Sequence, residues 1–143
     1  MWGFILAVIS GLLMSVQGVF NTQVTRQSGL WIAAAFVQIT AFVVCIIAWF
    51  VTGREGTVGD LFRIDSKYML LGGVMGAFIT ITVVKALEGL GPAKSAMVIV
   101  IAQILCSYVI ELFGWFGMEQ SEWEWKKAIG MAAAILGIIL FKS

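Results

Sequence analysis

The chain contains apolar runs long enough to cross a lipid bilayer, and this feature constrains its fold most. A helix needs about 20 apolar residues to span a hydrocarbon core about 30 Å thick. Hydrophobic residues make up 61% of the chain and charged residues 12%, which is too few charges for a water-facing surface. We therefore predict an all-α membrane protein, a single domain over residues 1–143 with five transmembrane helices. The predicted spans cover about residues 2–24, 30–51, 67–87, 92–115 and 125–141.

Short turns and one charged linker separate these runs. Turns are predicted at residues 25–29 and 88–91, and the only proline, Pro92, suits the first turn of the helix that follows. The linker at residues 52–66 interleaves charged and apolar side chains, which is typical of a short amphipathic helix lying on lipid headgroups. The first span lacks the basic n-region and the cleavage site of a signal peptide, so we expect it to be retained.

The basic residues are balanced across the membrane. With five spans, one side receives five Lys and Arg residues and the other receives four, which accounts for all nine in the chain. Because Lys/Arg asymmetry sets orientation, this balance predicts insertion in both directions and an antiparallel homodimer in the lipid bilayer. A heterodimer with a similar chain fits the same balance. A single orientation, fixed by folding or by Lys126 and Lys127, is the alternative.

Four spans carry a hydrogen-bonding side chain at a similar depth. Gln17 and Gln38 each lie eight residues from the same membrane face, or about 12 Å at 1.5 Å per residue. Thr80 and Gln103 lie eight and nine residues from a face, or about 12–14 Å deep. These depths approach the midplane of a core about 30 Å thick, where transporters built from inverted repeats hold their substrates.

Helical spacing adds further polar residues to this layer. Asn21 is four residues from Gln17, and Gln103, Ser107 and Glu111 repeat every four residues, so each set shares one helix face. Amides of this kind also hold helices together, for about 1 kcal/mol or less each, and that is the alternative role. We predict a lined cavity. Its predicted substrate-binding residues are Gln17, Asn21, Gln38, Thr80, Gln103 and Ser107.

Glu111 is the only carboxylate on this stripe. It lies about 6 Å inside the predicted span that ends at Trp115. A carboxylate at that place is expected to attract a cation or to couple proton movement to transport. The alternative is a structural ion pair with a basic residue such as Lys67 or Lys126.

The composition argues against catalysis and against a nucleic-acid partner. The chain has no histidine, and Cys45 and Cys106 lie within apolar runs, so neither a metal cluster nor a disulfide framework is predicted. It has no phosphate-binding glycine loop and no nucleophile beside a base. A net charge of +1 provides no basic surface for nucleic acid. We therefore predict that the chain is not an enzyme and takes no cofactor or metal.

Five short motifs run through the chain. They are QGVFN at 17–21, AAAF at 33–36, GGVMGA at 72–77, GPAKSA at 91–96 and IGMAAAILGI at 129–138. In this order and spacing they resemble the YdcZ-type family of small bacterial membrane proteins, which belongs to the drug/metabolite transporter (DMT) superfamily. The similarity covers nearly the whole chain. The resemblance implies a protein of the bacterial inner membrane that forms half of a ten-helix inverted-repeat transporter.

The resemblance extends distantly to the small multidrug resistance proteins, with one departure. Those proteins use a glutamate near the midplane of their first helix to exchange protons for cations. The first span here carries Gln17 and Asn21 and no carboxylate.

The residues and the resemblance together predict a secondary transporter of a small polar or amphipathic solute, cations included. It is expected to act as an antiparallel dimer with a central polar cavity. Two alternatives stay open: a dual-topology ion channel, and a membrane subunit that transports nothing itself.

Overall fold

The computed structural model describes residues 1–142, and its regular structure is helical throughout that range. The helices are α1 (Trp2–Ser28), α2 (Leu30–Val51), α3 (Val58–Leu61), α4 (Gly72–Leu90), α5 (Pro92–Phe113) and α6 (Trp125–Lys142). Two short 3-10 helices, Lys67–Leu71 and Trp115–Gly117, precede α4 and follow α5. The prediction of an all-α protein is confirmed.

Among the described residues, four helical segments are long and apolar enough to cross a membrane. They are α1, α2, α5 and the segment Lys67–Leu90, which joins the first 3-10 helix to α4. The fifth predicted span coincides with α6, whose 18 residues include Lys126, Lys127 and Lys142. Because charged residues raise the cost of insertion, length and composition support four spans, and the fifth span stays a prediction.

Single glycines connect α1 to α2 and α4 to α5. Gly29 has φ 89° and ψ 153°, and Gly91 has φ 81° and ψ 164°. Backbone of this kind is essentially restricted to glycine. The Gly29 N–H completes the last turn of α1, and its carbonyl accepts the first bond of α2. The turns predicted at residues 25–29 and 88–91 are therefore wrong in length, because one glycine is enough to end one helix and begin the next.

The charged linker forms a single helical turn, α3, which is the only part of the predicted amphipathic helix that forms. The Thr57 N–H and hydroxyl both donate to Oδ2 of Asp60, at 2.8 and 2.9 Å. These two bonds lower the pKa of the Asp60 carboxyl. A carboxylate in the first turn also favours helix initiation.

The chain divides into two compact units. The first, Met1–Glu88, contains α1 to α3 and most of α4, and the second begins at Gly89 and contains α5 and α6. The single domain predicted from the sequence stays a prediction. Large apolar side chains are exposed on the long helices of both units, among them Phe42 and Leu140. A surface of this kind is suited to lipid, which is as apolar as the side chains themselves.

In the first unit, α1 packs against α4 at Gly18. This glycine is buried, and a Cβ added to it would lie 3.3 Å from Cδ2 of Leu87 and 3.6 Å from Cγ1 of Val83. A Cβ added to Gly3 or Gly11 would have no described neighbour within 4 Å outside its own helix. The side chains of Leu87 and Val83 on α4 therefore lie over Gly18, where a larger residue would crowd Leu87.

Candidate functional site

In the first unit, two of the predicted binding residues are in contact. The Gln38 amide on α2 donates to Oγ1 of Thr80 on α4, at 3.4 Å. The Thr80 hydroxyl donates in turn to the Gly76 carbonyl at 3.0 Å. A Cβ added to Gly76 would lie 3.9 Å from Nε2 of Gln38, an ordinary van der Waals distance, so the amide packs beside this glycine. Both polar side chains are half-buried.

The two polar residues predicted on α1 are not part of this contact. Gln17 is exposed and Asn21 is half-buried. Within residues 1–142, neither side chain forms a hydrogen bond with Gln38 or Thr80. The buried polar residue of α1 is instead Thr22, whose hydroxyl donates to the Gly18 carbonyl of its own helix at 2.8 Å.

In the second unit, α5 and α6 border a cleft of about 450 Å³, which we call the α5–α6 cleft. All three residues of the predicted stripe line it, since a four-residue repeat keeps them on one helix face. Its apolar walls include Val100, Ile104 and Met131. The polar side chains that line the cleft are Gln103, Ser107, Tyr108, Glu111 and Lys127.

The charged end of the cleft contains one lysine between two carboxylates. Nζ of Lys127 lies 3.1 Å from Oε1 of Glu124 and 3.9 Å from Oε2 of Glu111. The same Nζ lies 5.7 Å from the ring centroid of Tyr108, within the range of a cation–π interaction. Each of the three charged side chains is about half exposed in the chain.

The basic partner of Glu111 differs from the one expected. Sequence reasoning named Lys67 or Lys126, whereas the structure places Lys127 beside the carboxylate. Adjacent helical residues point about 100° apart, so only one of the two neighbouring lysines of α6 can face α5. The spacing of acidic residues does not separate the two lysines, because Glu122 lies four residues before Lys126 and Glu124 lies three residues before Lys127.

Three hydrogen bonds tie the α5–α6 connection to the C-terminal end of α5. The Glu124 N–H donates to the Tyr108 hydroxyl at 3.0 Å. The Ser121 N–H donates to the Glu111 carbonyl at 2.9 Å, and the Gln120 amide donates to the carbonyl of Leu112 at 3.0 Å. These bonds fix the start of α6 against the end of α5, which brings Lys127 to the cleft. Sequence reasoning missed Tyr108, Glu124 and Lys127.

A left-handed glycine starts this connection. Gly114 ends α5 with φ 62° and ψ 35°, and its N–H donates to the last turn of the helix. A Cβ added to it would lie 3.2 Å from Cβ of Gln120 and 3.3 Å from the Met118 carbonyl oxygen. The turn therefore requires glycine both for its backbone angle and for its space.

The cleft combines one carboxylate, the ammonium of Lys127 that pairs with it, an aromatic ring, an amide and a hydroxyl with apolar walls. A carboxylate and an aromatic face attract cations, and amide and hydroxyl groups bind polar atoms. Within the described residues, no group of three or more His, Cys, Asp or Glu side chains is placed to hold a metal ion. Such a cleft can therefore hold a solute with an apolar body and a positive or hydrogen-bonding group.

One comparison with known proteins identifies the family of the chain. The family described as "Putative inner membrane exporter, YdcZ" matches residues 2–140. No curated protein and no solved structure matches the chain. The family is one of membrane exporters and not of enzymes, and the four apolar helices agree with an integral membrane protein. Because the match spans nearly all residues, the chain belongs to the YdcZ family of the drug/metabolite transporter type.

Proposed function

We propose that the protein is a secondary transporter that moves a small polar or amphipathic solute, cations included, out of the cell across the bacterial inner membrane. The observation that carries this proposal is the polar stripe of Gln103, Ser107 and Glu111, which lines one cleft in a chain that belongs to an exporter family. Glu111 attracts the positive group, and the amide and hydroxyl bind polar atoms of the solute. Gln17, Asn21, Gln38 and Thr80 stay predicted binding residues.

The transporting unit in this proposal is an antiparallel dimer with a central polar cavity. Each chain supplies five spans, α6 included, and serves as one half of a ten-helix inverted repeat. The near equality of Lys and Arg on the two sides supports insertion in both orientations. A reporter fused to the C-terminus is then expected to be active in both compartments. A reporter confined to one compartment contradicts the homodimer and leaves the heterodimer with a similar chain.

Flux measurements in proteoliposomes test the transport proposal. Purified protein is reconstituted under a pH gradient, and a panel of small cationic, neutral and anionic solutes is followed over time. We expect saturable flux of cationic or polar members of the panel. Glu111→Gln is expected to lower cation flux, whereas Glu122→Gln, which removes an exposed carboxylate outside the cleft, is expected to leave it unchanged.

Electrical recording separates this function from a channel. A transporter gives no resolvable unitary current, whereas a channel passes ions far above about 10³ per second, the upper range of ordinary turnover. Absence of flux for the whole panel contradicts the proposal. Co-purification with a larger membrane protein, combined with absence of flux, favours the non-transporting subunit instead.

A further inference from the structure

Lys127 joins a carboxylate that lines the α5–α6 cleft to one that does not. Glu111 is among the lining residues, and Glu124 is not. The shorter contact is to Glu124, at 3.1 Å, and the longer one is to Glu111, at 3.9 Å. The carboxylate inside the cleft is therefore the less neutralised of the two.

The pairing with Glu124 is local and does not depend on the cleft. Glu124 lies three residues before Lys127, and its carbonyl accepts the Lys127 N–H at 3.0 Å. The lysine ammonium sits on a flexible four-carbon stem. It can move wholly onto Glu124 without any change in the backbone, and this movement leaves Glu111 free.

The charges around the cleft favour a positively charged solute over a negatively charged one. Glu111 and Lys127, the two charged residues that line the cleft, cancel each other, and Glu124 beside the cleft brings the net charge of the three-residue cluster to −1. The lysine already lies over the Tyr108 ring at 5.7 Å, so the ring and the Glu111 carboxylate form a position that attracts one positive charge. Beside it, Val100, Ile104 and Met131 provide an apolar wall. An anion is disfavoured because the one ammonium is shared between two carboxylates.

We propose that Lys127 is a tethered counter-ion that competes with the solute, and that the solute is a monovalent organic cation with an apolar body. The cation binds between Glu111 and the Tyr108 ring, and Lys127 moves to Glu124. This inference rests on the proposed function, since it assigns the substrate class of the same cleft. Lys127 is accordingly a residue that sets affinity for cations.

Calorimetric titration of the purified full-length protein in an uncharged detergent tests the competition. The probe is benzyltrimethylammonium, and neopentylbenzene, in which carbon replaces the ammonium nitrogen, is the neutral control. Lys127→Met removes the competing ammonium and is expected to tighten binding of the probe about fivefold, the upper range for loss of a partly solvated ion pair. Neopentylbenzene is expected to bind the two proteins equally.

A matched control variant distinguishes competition by the Lys127 ammonium from a general effect of removing one positive charge from α6. Lys126→Met removes one positive charge from the same turn of α6, but Lys126 does not line the cleft, so we expect unchanged affinity. Glu111→Gln is expected to weaken binding of the probe at least fivefold. If Lys127→Met binds no tighter than the natural chain, if Lys126→Met tightens binding as much, or if none of the proteins binds the probe, the inference is overturned.

A second substitution keeps the test decisive if Lys127→Met does not fold. Glu124→Gln removes the carboxylate outside the cleft, so Lys127 pairs more fully with Glu111 and the probe is expected to bind severalfold more weakly. Where both variants fold, Glu124→Gln should weaken binding less in the Lys127→Met background than in the natural chain. An equal loss in both backgrounds contradicts the tethered counter-ion.

The binding experiment tests the role of Lys127, and the flux experiment tests the transport proposal, so either claim can be contradicted without the other. If the variants bind as expected but proteoliposomes move no solute, the inference stands and the transport proposal falls. If cations are transported but Lys127→Met leaves their affinity unchanged, the inference alone falls.

Discussion

A hydrogen bond joins Gln38 on α2 to Thr80 on α4. Measuring its strength shows whether an amide that is predicted to bind solute also holds these two helices together. Thr80→Val removes the hydroxyl that accepts from Gln38, and Gln38→Met replaces the amide by an apolar side chain of similar length. Thr82 on the same helix is the matched control, because its hydroxyl bonds only to carbonyls of its own helix, those of Phe78 and Ile79. Thr82→Val therefore removes a hydroxyl that has no partner on another helix within residues 1–142.

The distance sets the expected magnitude. At 3.4 Å the bond is longer than the usual range of about 2.7–3.2 Å for an N–H donor and an oxygen acceptor, so a strong coupling is not expected. Hydrogen bonds between membrane helices average about 0.6 kcal/mol and reach about 1.7 kcal/mol. We expect a coupling free energy of about 0.6 kcal/mol between Gln38→Met and Thr80→Val. Between Gln38→Met and Thr82→Val we expect a coupling near zero.

Reversible unfolding in mixed micelles measures these free energies. The unfolding detergent is titrated, helix content is followed by circular dichroism, and a double-mutant cycle is built for each pair. Equal coupling for the two threonines would refute the contact in the folded membrane protein. If Gln38→Met lowers solute affinity without any coupling to Thr80, the amide serves the solute and not the packing of α2 against α4.

Three further predictions concern the backbone and the linker. Gly18→Val is expected to lower the free energy of unfolding by about 1–3 kcal/mol relative to Gly11→Val in the same unfolding assay, since only Gly18 has α4 side chains against it. Gly114→Ala is expected to destabilise more than Gly117→Ala, because both have positive φ but only Gly114 is also crowded; equal losses would contradict the crowding. The pKa of Asp60 is lower in the folded linker than in the unfolded chain, where it is about 3.9. The Asp60 carboxylate therefore stabilises the folded linker at pH values above about 3.9. This stabilisation is lost as the pH falls through the lower, folded pKa. An NMR titration of the Thr57 amide, which donates to Oδ2 of Asp60, measures that pKa, and Asp60→Asn should abolish the transition of this amide.

The positions of the long helices could be predicted because membrane thickness fixes the length of an apolar run. The helices begin at Trp2, Leu30 and Pro92, where the predicted spans also begin. The number of residues in each turn could not be predicted in the same way. Composition shows where glycines cluster, but it does not show that Gly29 alone, with its φ of 89°, can end one helix and start the next.

The depth of a polar side chain in the membrane could be predicted more readily than the direction in which that side chain points. A rise of 1.5 Å per residue gives the height of a side chain in the membrane, but the rotation of a helix depends on the surface against which it packs. Gln38 and Thr80 meet, whereas Gln17 at a similar predicted depth is exposed. The same limit explains why Lys127 was not identified as the lysine that faces Glu111.

The position of Glu111 on α5 favours cation attraction over proton carrying. Glu111 is two residues from the end of α5 at Phe113, or about 3 Å along the helix axis. A carboxylate near the interface with a lysine at 3.9 Å costs less to insert than an unpaired one at the midplane. Ser107 and Gln103 lie about 6 and 12 Å further along α5. In the proposed complex, a cation held at Glu111 extends its apolar body along the cleft wall formed by Ile104 and Val100, and Lys127 determines how tightly the cation is held.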